Sequence, residues 1–173
     1  MKKIVFLEGL PGVGKSTIIK SIKQRGIPYV NCVEELINED IFSNRSFGQE
    51  IFMKNDDMKI DKFSDGLIVI DRGPISTYAY NLVNSKLNGF NCDIIENWFM
   101  SYKKILKEST IYYLYNNDFY LPYENPEDPY GSIDNQILLD EVTRVIIEKY
   151  GLVYKFIKYD KNNMKELINE III

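Results

Sequence analysis

The segment IVFLEGLPGVGKST, residues 4–17, decides the fold of this chain. A continuous apolar run closed by Glu8 is typical of a strand that is buried on both faces of a parallel sheet. Residues 9–16 then satisfy the pattern G-x-x-x-x-G-K-[ST], in which glycines let backbone N–H groups turn inward around phosphate groups. A helix expected over residues 16–24 would add its positive end at the same point. The sequence therefore predicts a phosphate-binding turn between a buried strand and a helix.

The side chains of this turn have distinct expected roles with ATP and Mg²⁺. Lys15 should reach the β- and γ-phosphates, Ser16 should ligate Mg²⁺ through its hydroxyl, and Thr17 should contact a phosphate oxygen. The residues predicted to line the ATP site are Gly9, Pro11, Gly12, Val13, Gly14, Lys15, Ser16 and Thr17.

A second stretch, LIVIDRGP at residues 67–74, predicts the other half of the site. Four aliphatic residues form the next buried strand, and a carboxylate that closes a parallel strand lies at the sheet edge where ligands bind. Asp71 is therefore the second candidate Mg²⁺ ligand, with a turn or helix-cap role as the alternative. Arg72 is well placed to hold an anionic acceptor against the γ-phosphate, and a surface salt bridge is its alternative role.

The rest of the chain alternates between strand and helix patterns, which predicts one α/β domain over residues 1–173 with a mainly parallel sheet flanked by helices. Further strands are expected at residues 28–32, 110–115 and 153–158, and helices at 75–87, 93–107, 133–150 and 162–170. Residues 33–61 show helical spacing without clear boundaries, and residues 116–132 predict a long exposed loop. The last three isoleucines, residues 171–173, are expected to pack.

Composition excludes several classes of function. A formal charge of −4 argues against a broad surface for duplex nucleic acid. The chain has no histidine, which excludes Cys/His zinc sites and histidine-based triads, and Cys32 and Cys92 are expected to be reduced thiols. The short apolar run at the start is interrupted by glycines, so we expect a cytoplasmic protein without a membrane span.

Together, IVFLEGLPGVGKST and VIDRGPISTYAYN resemble the thymidylate kinase and deoxynucleoside kinase group of P-loop phosphotransferases. The family pattern has Glu-Gly opening the phosphate-binding turn, as in Glu8-Gly9, and an acidic residue followed by Arg after the third strand, as in Asp71-Arg72. Ser76, Ala79 and Tyr80 continue that pattern. The resemblance implies a three-layer P-loop NTPase fold with a five-stranded sheet, ATP on the turn, and a nucleotide or nucleoside across Arg72.

Two departures from this pattern concern the lid and the acceptor base. The lid-like loop at residues 116–132 is acidic, and no Lys or Arg occurs between Lys107 and Arg144. Cations for the transition state must then come from Lys15, Mg²⁺, Arg72 or Arg144. Gln49 and Phe52 stand where relatives grip the base, although Phe52 equally fits an apolar stripe.

The acceptor is left open between two chemistries. A nucleoside hydroxyl needs a carboxylate base, for which Glu34 and Glu35 are candidates, whereas a monophosphate needs a cationic clamp such as Arg72. The Asp-Arg pair with its Ala-Tyr continuation favours a (deoxy)nucleoside 5′-monophosphate, with a nucleoside 5′-hydroxyl as the alternative. A polynucleotide 5′-kinase, a regulatory NTPase and a homodimeric assembly also remain open. The expected catalytic residues are Lys15, Asp71, Arg72 and Glu34; the acceptor-side residues are Glu8, Glu35, Gln49, Phe52, Arg72, Tyr80 and Arg144; the metal ligands are Ser16 and Asp71.

Overall fold

A computed structural model describes residues 2–35, 50–88, 93–115, 132–160 and 162–173 of the chain. Within these ranges lies a five-stranded sheet in which every pairing is parallel. Its strands are β1 (Lys3–Glu8), β2 (Val30–Val33), β3 (Leu67–Asp71), β4 (Thr110–Tyr115) and β5 (Tyr154–Lys158), in the order β2-β3-β1-β4-β5. The α/β class, the five strands and the β1–β3 pairing are as predicted.

The described helices follow the strands in the alternation that the sequence predicts. They are α1 (Lys15–Gln24), α2 (Glu50–Asp61), α3 (Pro74–Asn88), α4 (Asp93–Ser101), α5 (Lys103–Glu108), α6 (Ile133–Lys149) and α7 (Met164–Ile172). The helix α1 packs against α7 and next to β2 and β3, while α3 packs against α6. These helix pairs flank the sheet and give the three-layer architecture.

Three local predictions were wrong in detail. The strand expected from residue 28 begins at Val30, because Pro28 has no N–H to donate and the Val30 N–H closes a turn onto Ile27 O (3.1 Å). The helix expected over residues 93–107 is two helices, because the Tyr102 N–H donates three residues back to Phe99 O (3.0 Å) in a tighter turn. Ile171 is buried, but Ile173 is exposed and does not pack.

The ends of the central strands β1, β3 and β4 lie next to one another at the carboxyl edge of the sheet. Leu7 of β1 pairs with Asp71 of β3, and Glu8 of β1 pairs with Tyr113 of β4. Apolar side chains of β1 and β3, such as Phe6 and Ile70, are fully buried between the helix layers, as expected for a central parallel strand. The predicted site residues at the strand ends therefore meet at the carboxyl edge of the sheet, where ligands bind in folds of this kind.

None of the helices in the described ranges combines the length and the apolar character needed to cross a bilayer.

Candidate active site

The turn after β1 requires glycine at two positions for steric reasons. Gly9 and Gly14 have φ values of 125° and 96°, a region that side chains with a Cβ rarely adopt. A Cβ on Gly9 would lie 2.3 Å from the backbone oxygen of Leu114 in β4, and a Cβ on Gly14 would lie 2.6 Å from the ring of Tyr159. The turn is thus pressed between the end of β4 and the segment after β5, which holds its backbone in one shape.

Lys15 lies inside this turn rather than in solvent. Its Nζ donates to Gly9 O (2.8 Å) and Leu10 O (2.7 Å), so the ammonium faces the concave side of the loop. Burial, with a smaller contribution from the positive charge of Arg72, lowers the pKa of Lys15 to about 7. The positive charge of Arg72 near the buried Lys15 favours an anion at the turn.

Ser16 and Asp71 form the pair that could hold a divalent cation. Ser16 Oγ donates to Asp71 Oδ2 (2.9 Å), although the two residues are far apart in the sequence. Asp71 is 1% exposed, and its other oxygen, Oδ1, has no hydrogen-bond partner among the described residues. An orphaned buried carboxylate oxygen next to a hydroxyl fits Mg²⁺, which prefers hard oxygen ligands and keeps water or phosphate in its other positions. The predicted metal ligands are therefore brought together.

Arg72 adopts an unusual backbone conformation directly after β3. Its φ is 53°, and in the part of the chain that the structure describes it is the one non-glycine residue with a positive φ. Its N–H donates to Leu7 O (3.0 Å), and the guanidinium pairs with Glu35 and lies 5.5 Å from the ring centroid of Tyr80. A positive φ in a residue with a Cβ costs free energy, so it persists only where surrounding contacts maintain it. Such conformations are concentrated at functional sites.

Glu35 and Glu34 occupy different environments despite being neighbours. Glu35 binds Arg72, whereas the Glu34 side chain is 52% exposed and pairs with Lys23 on α1 (2.6 Å). Burial opposes ionisation of Glu35, but the charges of Arg72 and Lys15 hold the pKa of its carboxyl below the usual range. Of the two candidate bases, the structure places Glu35 in the site and Glu34 on its outer side.

Glu8 is fully buried at the end of β1. Ser76 on α3 donates a hydrogen bond to its Oε2, and its Oε1 has no partner among the described residues. Burial raises the pKa of the Glu8 carboxyl to about 7, and the Ser76 hydrogen bond opposes this rise in part. Glu8 is therefore bound to α3 and is not exposed at the turn.

The remaining candidates are spread around the same edge. Phe52 on α2 and Tyr80 on α3 are half-buried. Arg144 on α6 pairs with Asp140 (Nε to Oδ2, 2.9 Å) and lies 4.7 Å from the ring centroid of Phe156 on β5. Its contacts are thus with the β5 side of the sheet. Gln49, Cys92 and residues 116–131 of the lid-like loop lie outside the described residues.

Sequence reasoning missed a buried polar group behind Asp71 and Arg72. Lys59 on α2 pairs with Asp56 (2.6 Å) and donates to the carbonyl oxygen of Arg72 (2.8 Å). The available signal was the Asp-x-x-Lys spacing of residues 56–59, which places both side chains on one face of a helix. Tyr159, which packs on Gly14, was also missed, since no local pattern connects residue 159 to the turn.

No family model matches the chain. No curated protein matches it either. Solved structures do match along nearly the whole chain.

A thymidylate kinase from Candida albicans has 16% identity and a TM-score of 0.66, and the match covers 98% of this chain and 89% of that one. A thymidylate kinase from Ehrlichia chaffeensis has 15% identity and a TM-score of 0.61 over 99% and 97% of the two chains. A deoxyadenosine kinase from M. mycoides, solved with bound dATP, has 16% identity and a TM-score of 0.63 over 98% of both chains. At such identities a structural match speaks for the fold alone, and the chain therefore has the α/β fold of these nucleotide and nucleoside kinases.

Proposed function

We propose that this protein is a Mg²⁺- and ATP-dependent phosphotransferase that moves the γ-phosphoryl group to a nucleoside-type acceptor. The proposal rests on three groups that lie at the same glycine turn. Lys15 Nζ lies inside the turn, and Ser16 Oγ donates to Asp71 Oδ2 at 2.9 Å. The other Asp71 oxygen, Oδ1, is buried and has no hydrogen-bond partner among the described residues. This donor set fits a nucleotide triphosphate and Mg²⁺ together. The kinase structures with the same fold support the same class of reaction.

The residues of the turn would hold ATP. Backbone N–H groups of residues 9–16, except that of Pro11, which has none, would bind the phosphates with the start of α1, and the Lys15 ammonium would exchange its two carbonyl contacts for phosphate oxygens. Ser16 and Thr17 are exposed at the start of α1 and are accessible to the ligand. Ser16 and Asp71 would hold Mg²⁺, which neutralises charge on the phosphate oxygens when bound.

For the acceptor, the Glu35–Arg72 pair supports a nucleoside 5′-hydroxyl. A hydroxyl must lose its proton as it attacks phosphorus, and Glu35 is a carboxylate kept ionised beside the site. Glu35 would accept that proton, while Arg72 would hold the acceptor oxygen and share the charge that develops on the transferred group. This order of preference reverses the one that the sequence pattern favours.

A (deoxy)nucleoside 5′-monophosphate is the second candidate acceptor. Arg72 supports it, because its buried Nε has no hydrogen-bond partner among the described residues and is a donor that a phosphate could use. A monophosphate would have to displace Glu35 from the guanidinium. The Asp71-Arg72 pair and the Ala79-Tyr80 continuation also favour this acceptor on sequence grounds.

The test is a coupled ATP-consumption assay with Mg²⁺ over all deoxy- and ribonucleosides and their 5′-monophosphates, with products identified by mass spectrometry. Glu35→Gln and Glu34→Gln form a matched pair, because the two residues are adjacent but only Glu35 contacts Arg72. With a nucleoside acceptor, Glu35→Gln should lower kcat by about 10²-fold or more, whereas Glu34→Gln should change it by less than about 3-fold.

Each other outcome has a distinct meaning. Phosphorylation of a monophosphate, with little effect of either substitution, would support the second acceptor. ATP hydrolysis that no acceptor changes would contradict both acceptors and favour a regulatory NTPase. Lys15→Ala should abolish phosphoryl transfer, and turnover equal to that of wild type in this variant would contradict the proposed ATP site.

A further inference from the structure

Lys59 is a buried cation behind the turn that carries Asp71 and Arg72. It lies on α2, is 2% exposed, and pairs through Nζ with Asp56 Oδ1 at 2.6 Å. The same Nζ donates to Arg72 O at 2.8 Å and makes a longer contact with Asp71 O at 3.3 Å. One side chain thus binds two consecutive carbonyl groups, which lie on either side of the Arg72 Cα.

The partner of Lys59 is itself held from a second direction. Asp56 is 1% exposed, and Thr77 Oγ1 on α3 donates to its Oδ2 at 2.6 Å. The helix α3 begins at Pro74, directly after the turn. The ammonium, its counterion and the turn are therefore fixed relative to one another by α2, α3 and β3.

Stability alone is a poor explanation for this arrangement. Burial of a Lys–Asp pair carries a desolvation penalty that often equals or exceeds the attraction, and apolar side chains of similar volume would frequently be as stable. What an apolar residue could not supply is a charged donor for the Arg72 carbonyl. That carbonyl belongs to a residue with φ of 53°, a conformation that surrounding contacts must maintain.

The helix α2 also binds the backbone of Glu35, the residue whose side chain pairs with Arg72. Asn55, adjacent to Asp56, donates from Nδ2 to Glu35 O at 2.6 Å. One face of α2 thus reaches both the segment after β2 and the segment after β3, since Asn55 and Lys59 are four residues apart on the helix. The side chains of Glu35 and Arg72 pair with each other, and the backbone carbonyl group of each residue accepts a hydrogen bond from α2.

We propose that Lys59 is a positioning residue of the acceptor site, which holds Arg72 in its left-handed conformation so that the guanidinium faces Glu35. The inference rests on the proposed function, in which Arg72 and Glu35 serve the acceptor. Lys59 is buried, and it acts through its hydrogen bonds to the backbone of residues 71 and 72, with a smaller contribution from its charge near Glu35.

The first experiment compares Lys59→Met with Lys54→Met, a control on the exposed side of the same helix. Lys59→Met keeps the length of the apolar stem and removes the donors. We expect its kcat/KM for the acceptor to fall by at least about 30-fold while the KM for ATP changes by less than about 3-fold. Lys54→Met should match wild type in both. Equal losses for ATP and acceptor in Lys59→Met would overturn the positioning role, because general loosening of the fold affects both substrates.

A double-mutant cycle supplies a readout that a purely structural role would not produce. If Lys59 acts through Arg72, adding Lys59→Met to Arg72→Ala should lower the acceptor kcat/KM by less than about 3-fold further. Full additivity of the two losses would overturn the inference. A crystal structure of Lys59→Met in which Arg72 keeps its positive φ and its contact with Glu35 would overturn it as well.

Thr77→Val covers the case in which Lys59→Met fails to fold. It removes the hydroxyl that fixes Asp56 and leaves Lys59 in place. A loss confined to the acceptor kcat/KM is expected, and an unchanged value would count against the inference. Failure of the proposed function is a different result, since wild type would then phosphorylate no acceptor, whereas failure of the inference leaves wild-type turnover intact.

Discussion

At the scale of single residues, burial makes the site electrostatically unusual. The pKa of Lys15 is lowered to about 7 and that of Glu8 is raised to about 7, and burial is the largest cause of both shifts. The folded protein therefore holds these groups close to a change of protonation near neutral pH. Glu35 differs, because the charges of Arg72 and Lys15 outweigh its burial and keep it ionised.

Glu8→Gln should change the pH dependence of unfolding. The folded pKa of Glu8 lies near 7, above its ordinary 4.5, so the folded state binds more protons between these values and wild type loses stability as pH rises through this window. Gln does not titrate. Between pH 5 and pH 8 the free energy of unfolding of the variant should therefore rise relative to that of wild type by up to about 3 kcal/mol, because the pKa of Glu8 differs by 7 − 4.5 units between the two states and each unit corresponds to about 1.4 kcal/mol. Urea unfolding at both pH values measures the difference. A constant difference between variant and wild type would argue against the raised pKa.

At the scale of elements, the sequence predicted those parts of the fold that local patterns control. The strands β1 and β3 are short apolar runs, and the glycine motif marks the β1–α1 junction without ambiguity. The choice between Glu34 and Glu35 depends on side-chain direction at a strand end, where one residue reverses the face, and no local signal supplies it. Lys59 was missed because its role depends on the packing of α2 against the turn after β3, which is a tertiary contact.

Gly9→Ala should disrupt the β1–α1 junction. The new methyl group would lie 2.3 Å from Leu114 O, a backbone atom that cannot move without disturbing β4, and φ of 125° adds strain. Gly26→Ala is the matched control, because its φ of 59° is also positive but nothing lies within 4 Å of the added Cβ. We expect Gly9→Ala to lower the melting temperature well below that of Gly26→Ala and to abolish nucleotide binding. Similar melting temperatures in thermal scans would show that the close contact with β4 is not decisive.

At the scale of the whole molecule, the parallel sheet converts distant sequence positions into one site. The order β2-β3-β1-β4-β5 puts the ends of β2 and β3 beside the phosphate-binding turn, so residues near positions 15, 35 and 71 become neighbours. Alternation of strands and helices predicted such an edge, because parallel strands require crossover helices. Which acceptor fits the edge depends on details that alternation does not determine.

Mg²⁺ and ATP together should stabilise the whole protein through this edge. A ligand at 100 times its Kd that binds only the folded state adds about 2.7 kcal/mol, which a thermal scan detects as a higher melting temperature. Asp71→Asn should keep most of the increase seen with ATP alone and lose most of the additional increase with Mg²⁺, because Ser16 would lack its carboxylate partner. An Asp71→Asn protein with the full Mg²⁺-dependent increase would remove Asp71 from the proposed metal site.

The contact between Gly14 and the Tyr159 ring has a consequence for how a nascent chain acquires its activity. A ribosome makes the turn before it makes the ring that packs on it, because Tyr159 follows Gly14 along the chain, on the order of ten seconds later at ordinary rates of translation. The strand β1, which precedes the turn, pairs with β3 and β4, and both of these strands are made after it. A nascent chain that has not yet reached residue 159 therefore carries the phosphate-binding sequence without the packing that shapes it.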